Sequence, residues 1–325
     1  MELITINNSI EKQVILEKDV TVSQGNFIEA NTECVSLSHL KNECIIPNYS
    51  DSESTIAHSE FIDATNEVVH ANFPETSVLE PNIRISHIIK GRVPTAIRKS
   101  VKELSPKEKT IYYQRCAFMI EVPSLSENVN NNKLSLTIGG VRALNQENLY
   151  SKRSLEKFKV FIGFKNQVCT NLCISTDGLN TDIRVSSVAE LKDKINELIQ
   201  QFDKDRFLGN MERMSKFSLN ELQFGHTIGK MRMYTHLNRE EKLDKLALLM
   251  NDNQIGTVVK NYYHDPNFSR SRNGDINLWD FYNLMTDANK SSYIDLNLER
   301  NANAFEFVTG MANSLQNQTY NWFLN

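Results

Sequence analysis

The sequence predicts an α+β fold: an antiparallel sheet at about residues 83–185, packed with a helical C-terminal half and preceded by an acidic, partly ordered N-terminal arm. Three observations carry this prediction. Apolar and polar residues alternate with a period of two through the middle of the chain. After Ser187 the apolar period lengthens to three and four, and helix-capping signatures appear. Charge falls into opposed blocks, with 14 Asp or Glu against 3 Lys in residues 1–80 and 16 Lys or Arg against 6 Asp or Glu in residues 81–165.

Residues 1–26 read as a poorly ordered acidic arm, with short extended pieces at 3–6 and 13–16. Residues 27–325 read as one domain with three regions: 27–80 (short acidic helices and extended pieces), 81–185 (basic and β-rich) and 186–325 (helical). In the first region a helix is expected over 27–39 and another over 58–69, with Phe61, Ile62, Thr65 and Val68 on one face. Strands follow at 83–88, at 112–122 (closed by Pro123), at 134–138 (before Gly139-Gly140), at 158–164, at 168–174 and at 183–185. Asp177-Gly178 supplies a turn. Short links between consecutive strands favour antiparallel pairing. Ser187/Glu190, Ser218/Glu221 and Asn238/Glu241 each read as the start of a helix, the third carrying Leu243, Leu246 and Leu249. Further helices are expected over Ile255 to Tyr262, from Asn277 through Met285, and from Leu298 to Leu315.

Hydrophobic residues make up 40% and charged residues 23%, enough apolar material for a sizeable core. No run approaches the roughly 18 apolar residues of a membrane span. Met1-Glu2-Leu3-Ile4-Thr5 lacks a basic region followed by an apolar one, so no secretory signal is expected. The five cysteines, Cys34, Cys44, Cys116, Cys169 and Cys173, are an odd number, which suits reduced thiols and a cytoplasmic location.

The chain carries few signatures of catalytic chemistry. There is no phosphate-binding glycine loop, nucleophile elbow or paired-histidine zinc motif. Glu190-Leu191-Lys192 has the letters of a nuclease motif but belongs to a helix's first turn. His264-Asp265 suits a helix end. Gly225 and Gly229, four apart, suit close helix packing. No catalytic residue, metal ligand or cofactor is assigned.

The basic middle is the positive feature. Arg84, Lys90, Arg92, Arg98, Lys99 and Arg115 are the expected phosphate contacts, and Tyr112 or Tyr113 the stacking residue, for single-stranded or distorted DNA. Two other readings of the same residues stand beside this one: packing against the acidic first 80 residues, and a plain solvated face.

Glu108-Lys109-Thr110-Ile111-Tyr112-Tyr113, Leu134 through Gly140, FKVFIGFKNQVCTNLC from Phe158, Asn277 through Leu284, and the ending Asn321-Trp322-Phe323-Leu324-Asn325 resemble an uncharacterised bacterial family, catalogued as domain of unknown function 3871. More distantly, Val168-Cys169-Thr170-Asn171 and the W-x-x-Y-N of Trp279, Tyr282 and Asn283 resemble a broader group of phage- and plasmid-encoded proteins of unknown function. The resemblance implies a mobile-element setting and supplies no catalytic residues. The leading expectation is therefore a non-enzymatic DNA-associated protein, its basic middle screened by the acidic first 80 residues until DNA displaces them. One alternative is a protein-interaction or anti-defence factor whose acidic region meets a host protein. The other is a cryptic nuclease. No membrane partner is expected.

Overall fold

The computed structural model describes residues 26–44, 55–92, 96, 99–142, 144 and 155–325. Residues 1–25 of the expected 1–26 arm and the expected loop at 48–54 lie outside the described residues. In chain order the elements are β1 (Thr32–Val35), α1 (Leu37–Glu43), α2 (His58–Asn72), β2 (Asn82–Ser86), β3 (Ile89–Arg92), β4 (Lys109–Tyr113), β5 (Cys116–Val129), β6 (Asn132–Arg142), β7 (Glu156–Asn166), β8 (Leu172–Cys173) and β9 (Leu179–Val185). Then come α3 (Val188–Gln201), α4 (Lys204–Ser215), β10 (Ser218–Leu219), α5 (Glu221–His236), α6 (Arg239–Lys242), α7 (Asp252–His264), β11 (Ile276–Asn277), α8 (Leu278–Asn289) and α9 (Ile294–Asn317).

The main sheet runs β1-β2-β5-β6-β7, with β8 and β9 both pairing β7, and every pairing is antiparallel. β5 and β6 form the central hairpin. Their turn residues Asn130 and Asn131 sit at φ 46° and 63°. Asparagine tolerates this left-handed region better than most residues, and two successive such residues match the twist of a two-residue hairpin.

Both sheet faces are covered. On one face Phe118, Ile120, Val122, Leu136, Ile138, Phe158, Val160, Ile162 and Phe164 join the larger core with residues of α2, α3 and α4. Phe61 of α2 wedges between Phe118 (4.9 Å) and Phe158 (4.8 Å). Phe207 of α4 joins Phe164 of the sheet to Phe305 of α9, which stands 4.6 Å away. On the other face Ala117, Met119, Val141 and Phe161 pack with Phe27, Ile28, Ile294, Leu298 and Ala302. Helix α9 thus serves both sides: its first turns cover the second face and its later turns enter the larger core. Gly139 and Gly140 lie inside β6 instead of ending it. A Cβ at Gly139 would stand 2.2 Å from the Phe118 carbonyl oxygen, and one at Gly140 would stand 2.4 Å from the Phe61 ring. Only glycine lets backbone and ring approach so closely.

Several expectations change. The helix expected over 27–39 is a strand followed by a short helix: β1 pairs with β2, and Ser36 caps α1 by accepting from His39 N at 3.1 Å. The single strand expected over 112–122 is two, since β4 ends at Tyr113 and β5 starts at Cys116. Pro123 does not end β5. The register shifts between Val122 and Ser126, which accommodates a residue with no N–H to donate. Helix α5 is capped by Asn220 with Gln223, not by Ser218, which pairs in β10. The Asn238/Glu241 box forms as expected, yet α6 ends at Lys242 and leaves Leu243 79% exposed. Helix α4 was not expected from the sequence: its polar surface leaves Phe207, Met211 and Met214 as the buried stripe.

Candidate functional site

β3 and β4 form a two-stranded ribbon separate from the main sheet. Ile89 faces Tyr113 and Arg92 faces Lys109, with a register shift between Lys90 and Gly91. Between the strands two 3₁₀ turns follow one another, Val101–Glu103 and Pro106–Glu108. Each is the end of the same four-residue pattern, Ser-x-Lys-Glu. In the first, Ser100 N donates to Glu103 Oε2 at 3.0 Å. In the second, Ser105 N and Oγ donate to Glu108 Oε2 at 2.9 and 3.0 Å. A glutamate folded back onto the residue that opens its own turn satisfies a backbone donor that the turn leaves free. Leu104, between the two turns, is buried and anchors them.

Lys99 Nζ stands 2.6 Å from Glu108 Oε1. That ammonium and the Ser105 donors pull the Glu108 carboxyl down to about 2. Both acids of the 89–113 segment are therefore engaged by its own turns. Lys102 and Lys107, the third residues of the two patterns, are exposed. By sequence, the segment carries seven Lys or Arg against these two glutamates.

The expected contact residues separate. Arg84 is 6% exposed, and its guanidinium donates to Asn26 Oδ1, to the Thr32 carbonyl (each 2.8 Å) and to Thr32 Oγ1. Arg115 pairs with Asp295 Oδ2 at 2.7 Å. Tyr113 is 4% exposed. Arg84 and Arg115 are thus engaged inside the fold and Tyr113 offers no stacking face, which corrects their assignment as outward contacts. Lys99 remains on the surface beside Glu108. Lys90, Arg92 and Tyr112 lie on the ribbon strands, and their side chains lie outside the described residues. Arg98 also lies outside them. Lys102 and Lys107 belong to the basic run but not to the expected contact set. The S-x-x-E pattern that contains each was the signal that could have found their turns.

Cations of the basic middle also meet carboxylates from outside residues 1–80. Arg142 Nη2 meets Glu156 at 2.7 Å, Lys165 meets Glu121 at 2.9 Å, and Lys159 bonds Glu299 and the Asp295 carbonyl. Burial pushes the Glu121 carboxyl up, but donors on Ser135, Lys165 and Gln167 outweigh it and hold the carboxyl below its ordinary value. In the acidic first quarter Asp63 pairs with Lys41 and Glu67 with Lys192. Both of these partners lie outside the basic middle.

The structure brings the two short motifs together. The Val168–Asn171 turn, with Thr170 at φ 59°, lies against α8. Asn283 is fully buried. Its Oδ1 accepts from Asn166 Nδ2 at 3.1 Å, its Nδ2 donates to the Trp279 carbonyl at 2.9 Å, and its own carbonyl accepts from Asn171 Nδ2 at 2.9 Å. Lys290 Nζ reaches the Cys169 carbonyl at 2.6 Å and Asp287 at 3.0 Å. This buried amide serves as a clamp between sheet and helix.

The same cluster holds no activated nucleophile. Burial pushes the Cys169 thiol up to about 12 and raises Cys173 as well. A thiol so shifted stays protonated near neutrality. The other expected loci are local: Glu190 accepts from Ser186 N in the first turn of α3, and Asp265 caps the end of α7. A Cβ at Gly225 or Gly229 would meet nothing within 4 Å, which corrects the expected helix packing there. Among the described residues, no three His, Cys, Asp or Glu side chains gather as metal ligands, and no helix is long and apolar enough to cross a membrane.

A family model described as "Domain of unknown function, B. Theta Gene description (DUF3871)" matches residues 9–324. The chain belongs to this family. The match spans the β3–β4 ribbon, the capped turns and the Asn283 clamp alike, so all three lie within the DUF3871 region. No curated protein and no solved structure matches the chain.

Proposed function

We propose that this DUF3871 protein is a non-enzymatic DNA-associated binding protein of a mobile element, a phage or a plasmid, acting in the cytoplasm. The observation that carries the reading is the β3–β4 arm. Its two glutamates are drawn into its own turns, while Lys99, Lys102 and Lys107 are exposed. Lysines held on ordered turns attract a phosphate backbone through Coulomb forces and the release of condensed counterions. Arg84, Arg115 and Tyr113 support the fold and take no part.

The test is a salt titration of the intact protein against labelled DNA by fluorescence anisotropy, from about 50 to about 200 mM salt. The comparison variant replaces Lys99, Lys102 and Lys107 with Gln. Binding is expected for the parent at low salt, and the variant's slope of log K against log salt should be shallower by about 2 to 3. No binding by the parent at low salt, or identical slopes for parent and variant, refutes the reading.

A further inference from the structure

Beyond that reading, we propose that the C-terminal turn carries a second site, built from other residues than the arm, which binds a nucleotide: the phosphate between Lys230, Lys245 and the Trp322 indole N–H, and the base on Tyr320. The site rests on rings. Phe323 is fully buried, and its carbonyl accepts from Thr227 Oγ1 of α5 at 3.2 Å, which ties the turn to the helix. Trp322 and Tyr234 flank the Phe323 ring at 5.0 and 5.6 Å. Lys230 Nζ and Lys245 Nζ stand 4.5 and 5.5 Å from the centre of the Trp322 ring, and Lys242 Nζ stands 4.9 Å from that of Tyr234. Cation–π attraction holds each ammonium on its ring, so Lys230 and Lys245 share one indole and lie at most about 10 Å apart, the two distances laid end to end.

Carboxylates answer this cluster only in part. Asp244 pairs with Lys245 at 2.7 Å. Glu240 and Glu241 of α6 are exposed, and Glu241 Oε2 accepts from Asn238 N at 2.8 Å. Among the described residues neither Lys230 nor Lys242 has an ion pair or a hydrogen bond, and the Trp322 indole N–H meets no acceptor and is open to solvent. All three lysines are half-buried, their stems covered and their ammonium groups drawn to the rings. Two ammonium groups and one N–H around a single indole offer three donors to one anion. Lysine meets phosphate as a point charge, whereas a carboxylate is matched best by the fork of an arginine. Tyr320 supplies the second half of the ligand's contacts. It is 74% exposed and stands two residues before Trp322, at most about 7 Å along the chain. An aromatic face that close to a phosphate site suits a nucleobase, because every base has a π-face to stack.

The experiment titrates the intact protein with thymidine monophosphate, a thymidylate hexamer, inorganic phosphate and sulfate at matched ionic strength, read by tryptophan emission. The chain has two tryptophans, and Trp279 is fully buried, which leaves Trp322 as the reporter. A saturable change is expected with the nucleotide. Lys230→Gln with Lys245→Gln should weaken that binding about tenfold while the far-UV circular dichroism spectrum stays unchanged. Tyr320→Ala should weaken nucleotide binding about fivefold and leave phosphate binding as in the parent. Replacing Lys99, Lys102 and Lys107 with Gln should change neither, so failure of the arm and failure of this site read out separately. Hexamer binding about tenfold tighter than the monomer assigns the ligand to a single strand, and equal binding assigns it to a free nucleotide; either result upholds the site. An equal response to sulfate, which means an adventitious ion only, overturns it. So does parent-like binding by the lysine variant, or the absence of any saturable change. Parent-like nucleotide binding by Tyr320→Ala overturns the placement of the base.

Discussion

His58 is expected to make the fold sensitive to mild acid. The residue opens α2 and is 1% exposed. Its Nε2 donates to the Gln114 carbonyl at 2.9 Å, and its Nδ1 is buried without a hydrogen-bond partner. Burial, then the neighbouring Arg142 guanidinium, lower its pKa from 6.5 to about 3, against a smaller upward pull from Gln114. The sign follows from proton uptake. As pH falls through 6.5 the unfolded chain binds a proton that the folded chain refuses until about 3, so this contribution is complete above 6.5 and is lost below it. At about 1.4 kcal/mol per pH unit, stability at pH 5 should be lower by on the order of 2 kcal/mol.

Other groups titrate in the same range. Asp280, pushed by burial up to about 6, acts in the opposite direction, because its folded form keeps a proton that the unfolded form releases. The informative quantity is therefore a difference. Urea unfolding of the parent and of His58→Gln, which keeps a donor but does not titrate, is compared from about pH 7.5 to about pH 4.5. The parent should lose stability relative to the variant by about 1.4 kcal/mol for each unit below pH 6.5. The ring signals of His58 should show no titration near neutrality by NMR. Parallel stability curves, or a ring titration near pH 6.5, refute the reasoning.

Two further outcomes follow from buried polar groups. Asn283→Ala should cost about 2–4 kcal/mol by chemical unfolding, because it leaves Asn166 without its partner and opens a cavity beside Trp279; a loss below about 1 kcal/mol refutes the clamp. Lys165→Met should cost about 3–5 kcal/mol by leaving Glu121 buried without its cation, and adding Glu121→Leu should restore at least half of that loss. A double variant no more stable than the single one would refute it.

The sequence revealed what depends on neighbours along the chain. Alternation marked the long strands, and caps such as Ser187, Asn238 and Asn277 announced helices because each closes a turn three residues on. It was blind to partners far away. Arg84, Arg115, Arg142, Lys159 and Lys165 look alike in a count of basic residues. What distinguishes them from Lys102 is a carboxylate or carbonyl supplied from another element, such as Asp295, 180 positions beyond Arg115 by number. The alternation of Ile83-Arg84-Ile85 likewise implied one wet face, whereas Phe27 and α9 cover the second face of the sheet. The arm was half legible. Its charge was plain, and its Ser-x-Lys-Glu turns were short enough to read, but its separation from the main sheet depended on pairing that no local pattern encodes.

The cover supplied by α9 also has a temporal side. Met119, Val141 and Phe161 leave the ribosome well before Ile294, Leu298 and Ala302, which complete their packing. A nascent chain thus carries an open apolar sheet face while more than a hundred further residues are being added. Release of a chain cut short before residue 294 should yield a sticky, chaperone-bound product, whereas completion of the last helix closes the sheet in one step.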